Sequence, residues 1–165
     1  MILCSPHNPV GRVWTKEELA RVGEICKKNN VLVIADEIHS DLVYAGYVHT
    51  PFALASDAPH LVCTSLGKTF NVAGLRLANI FSSSAELKKQ YDQEIDAYSY
   101  SASNTFGLEM VQAAYSPEGE AWLEELLVYL QGNVEVVSEW CQKHNVGFTA
   151  PQGTFSVSYT HLRAH

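Results

Sequence analysis

Apolar residues along the chain follow two rhythms. Short, largely apolar runs at Ile2–Cys4, Val31–Ala35, Leu61–Thr64 and Leu77–Phe81 have the length of buried strands. The V-L-V-I-A run, Val31–Ala35, reads as a strand covered on both faces. Between the runs, apolar positions return every three or four residues. Leu19, Val22, Ile25 and Cys26 mark one face of a helix. That helix opens at the capping box Thr15-Lys16-Glu17-Glu18, carries Lys27-Lys28 near its C-terminus and ends at Asn29-Asn30. Ser84 starts a helix with polar Glu86, Lys88, Lys89 and Gln90. A compact helix is expected over Asn104–Tyr115, with Asn104 as its N-cap and Pro117 breaking the chain behind it. Glu118–His144 is a long helix, with Trp122, Leu123, Leu126, Leu127, Leu130, Val134, Val137 and Cys141 at helical spacing. Gly147–Phe155 begins an extended segment.

Strands that alternate with helices predict an α/β fold with a largely parallel sheet. In such sheets ligands bind at the carboxyl ends of the strands. Asp36 follows V-L-V-I-A directly, and Ser65 follows L-V-C-T, so both fall where this architecture places its chemistry.

Composition narrows the field only slightly. The chain has 165 residues, 47% hydrophobic and 18% charged, enough for one domain with a sizeable core. A net charge of −7 disfavours nucleic acid or an anionic membrane as partner. The apolar stretches are too short for a membrane span, and no signal-peptide pattern is present. Cys4, Cys26, Cys63 and Cys141 form no C-x-x-C pair and read as reduced, mostly buried thiols. A cytoplasmic location is the expectation that follows.

Candidate chemistry concentrates in T-S-L-G-K-T-F-N-V-A-G-L-R, Thr64 to Arg76. Lys68 lies among the apolar residues Phe70, Val72, Ala73 and Leu75. A lysine in apolar surroundings loses its proton readily and becomes a nucleophile for imine formation. Lys68 is suited to hold an aldehyde cofactor as a Schiff base, with Ser65 and Arg76 holding that cofactor's phosphate. Asp36 is suited to pair with a pyridinium nitrogen, since an opposite charge keeps such a nitrogen protonated and the ring a strong electron sink. P-H-N-P-V-G, Pro6 to Gly11, reads as a rigid turn, suited to a cis peptide, that aims the Asn8 amide at a ring hydroxyl. His39, three residues after Asp36, falls near the ring if the backbone turns there. Two rival motifs fail. A P-loop needs glycine where Val62 stands, and the S-x-x-K of Ser65–Lys68 has no S-D-N or K-T-G companion.

Together these segments resemble the fold-type I pyridoxal-phosphate enzymes, the aspartate aminotransferase superfamily. P-H-N-P-V-G-R-V-W-T-K-E-E-L, A-D-E-I-H-S-D-L and T-S-L-G-K-T-F-N-V-A-G-L-R match three blocks of that family in order. D-E-I-H-S-D-L, Asp36 to Leu42, looks most like the cystathionine β-lyase branch of MalY/PatB-type carbon–sulfur lyases. Mainstream aminotransferases commonly carry tyrosine where this chain has His39. The resemblance implies pyridoxal 5'-phosphate as cofactor, bound by Asn8, Asp36, Ser65, Lys68 and Arg76, with Lys68 as the catalytic residue. It implies a small amino-acid substrate and a homodimeric parent whose sites form between two subunits. An aminotransferase stays open as the alternative activity, and a non-catalytic relic as a third.

Members of this family are far longer. The resemblance implies that residues 1–145 are part of the large cofactor-binding domain and that 146–156 begin the small C-terminal domain, with Q-G-T-F, Gln152 to Phe155, as its first strand. It implies that an N-terminal portion with further phosphate contacts and a ring-stacking aromatic lies outside this chain. Val157–His165, V-S-Y-T-H-L-R-A-H, back-translates to a common transposase sequencing adapter and reads as a translated scar. His161, Arg163 and His165 are therefore expected to take no part in the site.

Overall fold

The computed structural model describes residues 1–100 and 104–157. The tail expected from Val157 onward lies almost entirely outside the described residues. Four strands form one sheet in the order β1-β2-β3-β4: β1 Ile2–Cys4, β2 Val33–Asp36, β3 His60–Thr64 and β4 Asn79–Ser82. β1, β2 and β3 are parallel, with Cys4 opposite Asp36 and Asp36 opposite Cys63. β4 runs antiparallel to β3, with Thr64 opposite Asn79. The α/β expectation holds.

Helix α1, Lys16–Lys28, starts as the sequence predicts. Thr15 accepts from the Glu18 amide, and the Glu18 carboxylate accepts from the Thr15 amide. It ends in a Schellman motif. Asn30 takes a left-handed backbone at φ 54°, and the Val31 amide reaches back 2.9 Å to the Cys26 carbonyl. Val31 is thereby spent on the helix cap, and β2 begins at Val33 rather than Val31.

Leu19 and Cys26 from α1 pack with Leu3, Val33, Ala35, Val62 and Phe52 into the core. Phe52 belongs to α2, Phe52–Ala55, a short helix that the apolar pattern did not predict. Two expectations need correction. Ile25 is half exposed, because α1 buries a narrow stripe through Leu19, Gly23 and Cys26. Among the described residues the sheet is covered on one face only: Val33 and Ala35 are buried, whereas Ile34 is half-buried and Ile2 is 74% exposed.

After β3 come α3, Leu66–Thr69, and a 3-10 turn, Ala73–Leu75, then β4. Helices α4, Ala85–Ala97, and α5, Thr105–Ala114, are N-capped by Ser84 and Asn104 as expected. Pro117 does not break the chain but opens α6, Pro117–Lys143, at the first helical position behind the N-cap Ser116. Only Val134 and Cys141 of its apolar stripe are fully buried. Residues 151–154 form no regular strand. They dock across the front of the molecule: Gln152 and Gly153 amides donate to the Gly11 carbonyl, and Thr154 donates to Leu42.

Candidate functional site

The site is built at the carboxyl end of the sheet. Asp36 is the last residue of β2, flanked in register by Cys4 and Cys63. Its backbone carbonyl accepts from the Ser5 amide at 3.0 Å, which seats the P-H-N-P loop beside it. Its Oδ1 accepts one long bond, 3.4 Å, from the Ile38 amide. The half-buried carboxylate therefore keeps most of its acceptor capacity. Burial, then Asp36 and Glu37, push the Cys63 thiol upward, so it stays protonated beside them.

The chain turns immediately after Asp36. Ser40 donates to the Glu37 carbonyl and Leu42 to that of His39, each at 2.9 Å. This turn carries His39 inward, where it is 2% exposed and meets the Phe155 ring edge-on at 5.8 Å. Both of its ring nitrogens are buried without a partner. Burial lowers its pKa; Asp36 opposes that shift and the Lys68 charge reinforces it. His39 is thus within electrostatic reach of both.

Lys68 rides on α3, a one-turn helix leaving the end of β3. Ser65 is its N-cap, with Oγ accepting from the Gly67 amide at 3.0 Å. The same hydroxyl donates to the Leu77 carbonyl at 2.7 Å, drawing Arg76, the preceding residue, alongside Ser65. Arg76 has a left-handed backbone, φ 51°, at the end of the 3-10 turn. Lys68 and Arg76 are exposed, and among the described residues neither is in a salt bridge. The apolar neighbours of Lys68 do not enclose it here; Phe70 instead stacks on Trp122, ring centroids 5.4 Å apart.

Asn8 sits in the P-H-N-P turn, where both Ser5–Pro6 and Asn8–Pro9 are cis. It is exposed, and none of the described side-chain hydrogen bonds joins it to Asp36 or Lys68. The structure therefore assembles Asp36, His39, Ser65, Lys68 and Arg76 at one edge, with Asn8 on the adjoining loop.

Three polar contacts around this edge, made by Glu37 and Thr69, have no counterpart in the sequence pattern. Glu37, 2% exposed, accepts from the Phe52 amide at 2.7 Å and lies 3.0 Å from His49 Nε2. Thr69 donates to Asp41 at 2.8 Å. Their partners lie 12, 15 and 28 residues apart in sequence, beyond any local spacing signal.

The residues fit a ligand with an aldehyde, a basic ring nitrogen and a phosphate. The unpartnered His39 nitrogens, the underused Asp36 carboxylate and two unpaired cations are the donor and acceptor set such a ligand needs. Ser65 has a single proton to donate. Donating it to a phosphate oxygen requires the hydroxyl to rotate off Leu77. Among the described residues no helix is long and apolar enough to cross a membrane, and no cluster of His, Cys, Asp and Glu could hold a metal.

Comparison with known proteins bears on the family and the fold. The profile of the class I and II aminotransferases matches residues 1–165. Cystathionine β-lyase PatB of Bacillus subtilis is 40% identical over 136 residues, covering 81% of this chain and 35% of its own length. Protein MalY of Escherichia coli is 32% identical over 161 residues, covering 94% of this chain and 40% of its own. A pyridoxal-phosphate-bound C–S lyase from Staphylococcus hominis superimposes with a TM-score of 0.84 at 37% identity, over 93% of this chain and 39% of its own. Cystalysin from Treponema denticola, whose structure contains pyridoxal 5'-phosphate, gives 0.87 at 31% identity, over 93% and 40%. The chain thus spans about two fifths of the length of these relatives.

Proposed function

Because the chain belongs to the class I and II aminotransferase family, a pyridoxal-phosphate-dependent family, we propose that it is part of a carbon–sulfur β-lyase. The intact enzyme would cleave an amino-acid thioether such as cystathionine to a thiol, pyruvate and ammonia. The observation that carries the reading is the placement of Lys68. It stands one helical turn beyond β3, beside a β2 that ends in Asp36. In sequence, cystathionine β-lyases lead among the relatives that match most of the chain, whereas the kynurenine transaminases align over about half of it.

Pyridoxal phosphate, when bound, supplies an aldehyde for the lysine and a ring that accepts the electron pair left at the substrate's α-carbon. Lys68 would hold the aldehyde, and its free amine would take the proton from that carbon. Asp36 keeps the ring nitrogen protonated by opposite charge. Arg76 and Ser65 bind the phosphate, the guanidinium offering paired N–H donors. Asn8 and His39 bind the ring edge. Residues 1–145 belong on this reading to the large domain and 146–156 to the start of the small one. The intact enzyme works as a cytoplasmic homodimer.

The test uses the full-length protein that carries this segment. Borohydride should fix the cofactor on the Lys68 peptide, and Lys68→Ala should abolish turnover. A fixed adduct on another lysine would sink the assignment. Cystathionine should yield thiol and pyruvate with no keto acid present; strict dependence on a keto acid would instead establish an aminotransferase. The 165-residue chain alone, with Lys68 and Arg76 open to water, should bind the cofactor weakly and release no thiol.

A further inference from the structure

A helix of one turn has almost no stability of its own, because nucleation costs more than a single turn of hydrogen bonds returns. α3 is such a helix, so the direction in which it presents Lys68 is set by tethers at its two ends. At its start, Ser65 caps it and bonds to Leu77. Just past its end, Phe70 stacks on Trp122 and meets Tyr115 edge-on at 6.5 Å. Both tethers run to the later part of the chain. The third is the bond from Thr69 Oγ1 to Asp41 Oδ2, 2.8 Å. Thr69 is 1% exposed and immediately follows Lys68. Asp41 lies in the turn that opens at Asp36 and carries His39. Among the side-chain hydrogen bonds of this helix, this one alone reaches the loop behind β2.

We propose that the Thr69–Asp41 bond is a positioning latch that fixes Lys68 relative to Asp36. Lysine and carboxylate must face the same small ligand at a set separation, and they sit on different strand ends. Backbone pairing holds β2 against β3 but ends with the Glu37 amide on the Cys63 carbonyl. Beyond that point the two site loops need a link of their own. A hydroxyl donating to a carboxylate is short, directional and stronger than a neutral pair, and the donor here is buried. Asp41 touches no reacting atom; it acts through Thr69. The inference rests on Lys68 being the cofactor-bonded residue.

The experiment uses the full-length protein and four variants. Thr69→Val keeps the shape and removes the hydroxyl. Asp41→Ala removes the acceptor. Thr69→Ser and Asp41→Asn each preserve a hydroxyl–oxygen bond. Two readouts are taken: the rate of adduct formation at Lys68 with pyridoxal phosphate, fixed by borohydride, and hydrogen exchange of the Phe70 and Val72 amides in the cofactor-free protein. Those amides donate to Leu66 and Gly67 and report the integrity of α3. Thr69→Val and Asp41→Ala should each slow adduct formation by about tenfold or more. They should also speed exchange at both amides, and their combination should be no worse than the poorer single variant. The two conservative variants should stay within about twofold of the parent. Additive losses, or losses as large in Asp41→Asn as in Asp41→Ala, would overturn the latch. Unchanged exchange and adduct rates in Thr69→Val would overturn it too. Failure of the functional reading looks different: the unaltered protein would carry no adduct on Lys68, while exchange in α3 would still respond to the four variants as predicted.

Discussion

Replacing Glu37 tests how the loop after β2 is held. Its carboxylate is 2% exposed and serves two groups, the Phe52 amide at 2.7 Å and His49 Nε2 at 3.0 Å. Glu37→Ala strands both. An orphaned buried polar group costs about 1–3 kcal/mol. Two groups are stranded, so about 2–6 kcal/mol is expected. That is a large share of a domain stability of about 5–15 kcal/mol. Glu37→Gln keeps an oxygen for the Phe52 amide and should lose only about 1–2 kcal/mol. Urea unfolding followed by tryptophan fluorescence measures both, and a cycle with His49→Leu isolates the pair, expected to couple by about 1–3 kcal/mol. A loss under about 0.5 kcal/mol for Glu37→Ala, or equal losses for Ala and Gln, would refute the reasoning.

Three further outcomes follow from the geometry. The His39 pKa is lowered chiefly by burial, so the unfolded chain, with its histidine near about 6.5, binds a proton more readily than the folded one. The contribution of neutral His39 is complete above that value and fades as pH falls below it; the urea midpoint should drop more steeply from pH 7 to 5 in the parent chain than in His39→Phe, and parallel slopes would contradict this. Gly11 has φ +75°, and an added Cβ would lie 2.4 Å from the Pro151 Cβ, so Gly11→Ala should cost about 2–4 kcal/mol, read as a fall in thermal midpoint. Thr15→Ala removes the α1 cap and should cost about 1 kcal/mol in urea unfolding, a cost that Thr15→Ser should not show.

What the sequence disclosed, and what it hid, divides by range. Caps are local, and Thr15, Ser84 and Asn104 were legible as such. So was the position of Asp36 and Ser65 at strand ends, because a strand's end follows from where its apolar run stops. The direction of β4 was not. Its reversal depends on the left-handed turn at Arg76 and on Ser65 bonding to Leu77, twelve residues away. Three helix ends share a device with a weak local signal. Asn30, Ser99 and Asn145 all adopt left-handed φ, and the next amide bonds back to Cys26, Ile95 and Cys141. The N-V pairs after α1 and α6 could have marked two of them. Asp41 and His49 carry no local signal, since their partners, Thr69 and Glu37, lie 28 and 12 residues away.

Residues 151–154 close against the molecule's first loops. The Val13 amide donates to Gln152 Oε1 across 139 residues, and the Tyr44 hydroxyl to the Thr154 carbonyl across 110. On the ribosome, at roughly 5–20 residues per second, the turn bearing His39 and Asp41 emerges on the order of 5–20 s before the segment that braces it. Sheet pairing of β1, β2 and β3 needs nothing beyond Thr64 and can precede that moment. The loop that carries the acid side of the site is therefore translated early and set late, when Gln152 and Thr154 arrive to be clasped.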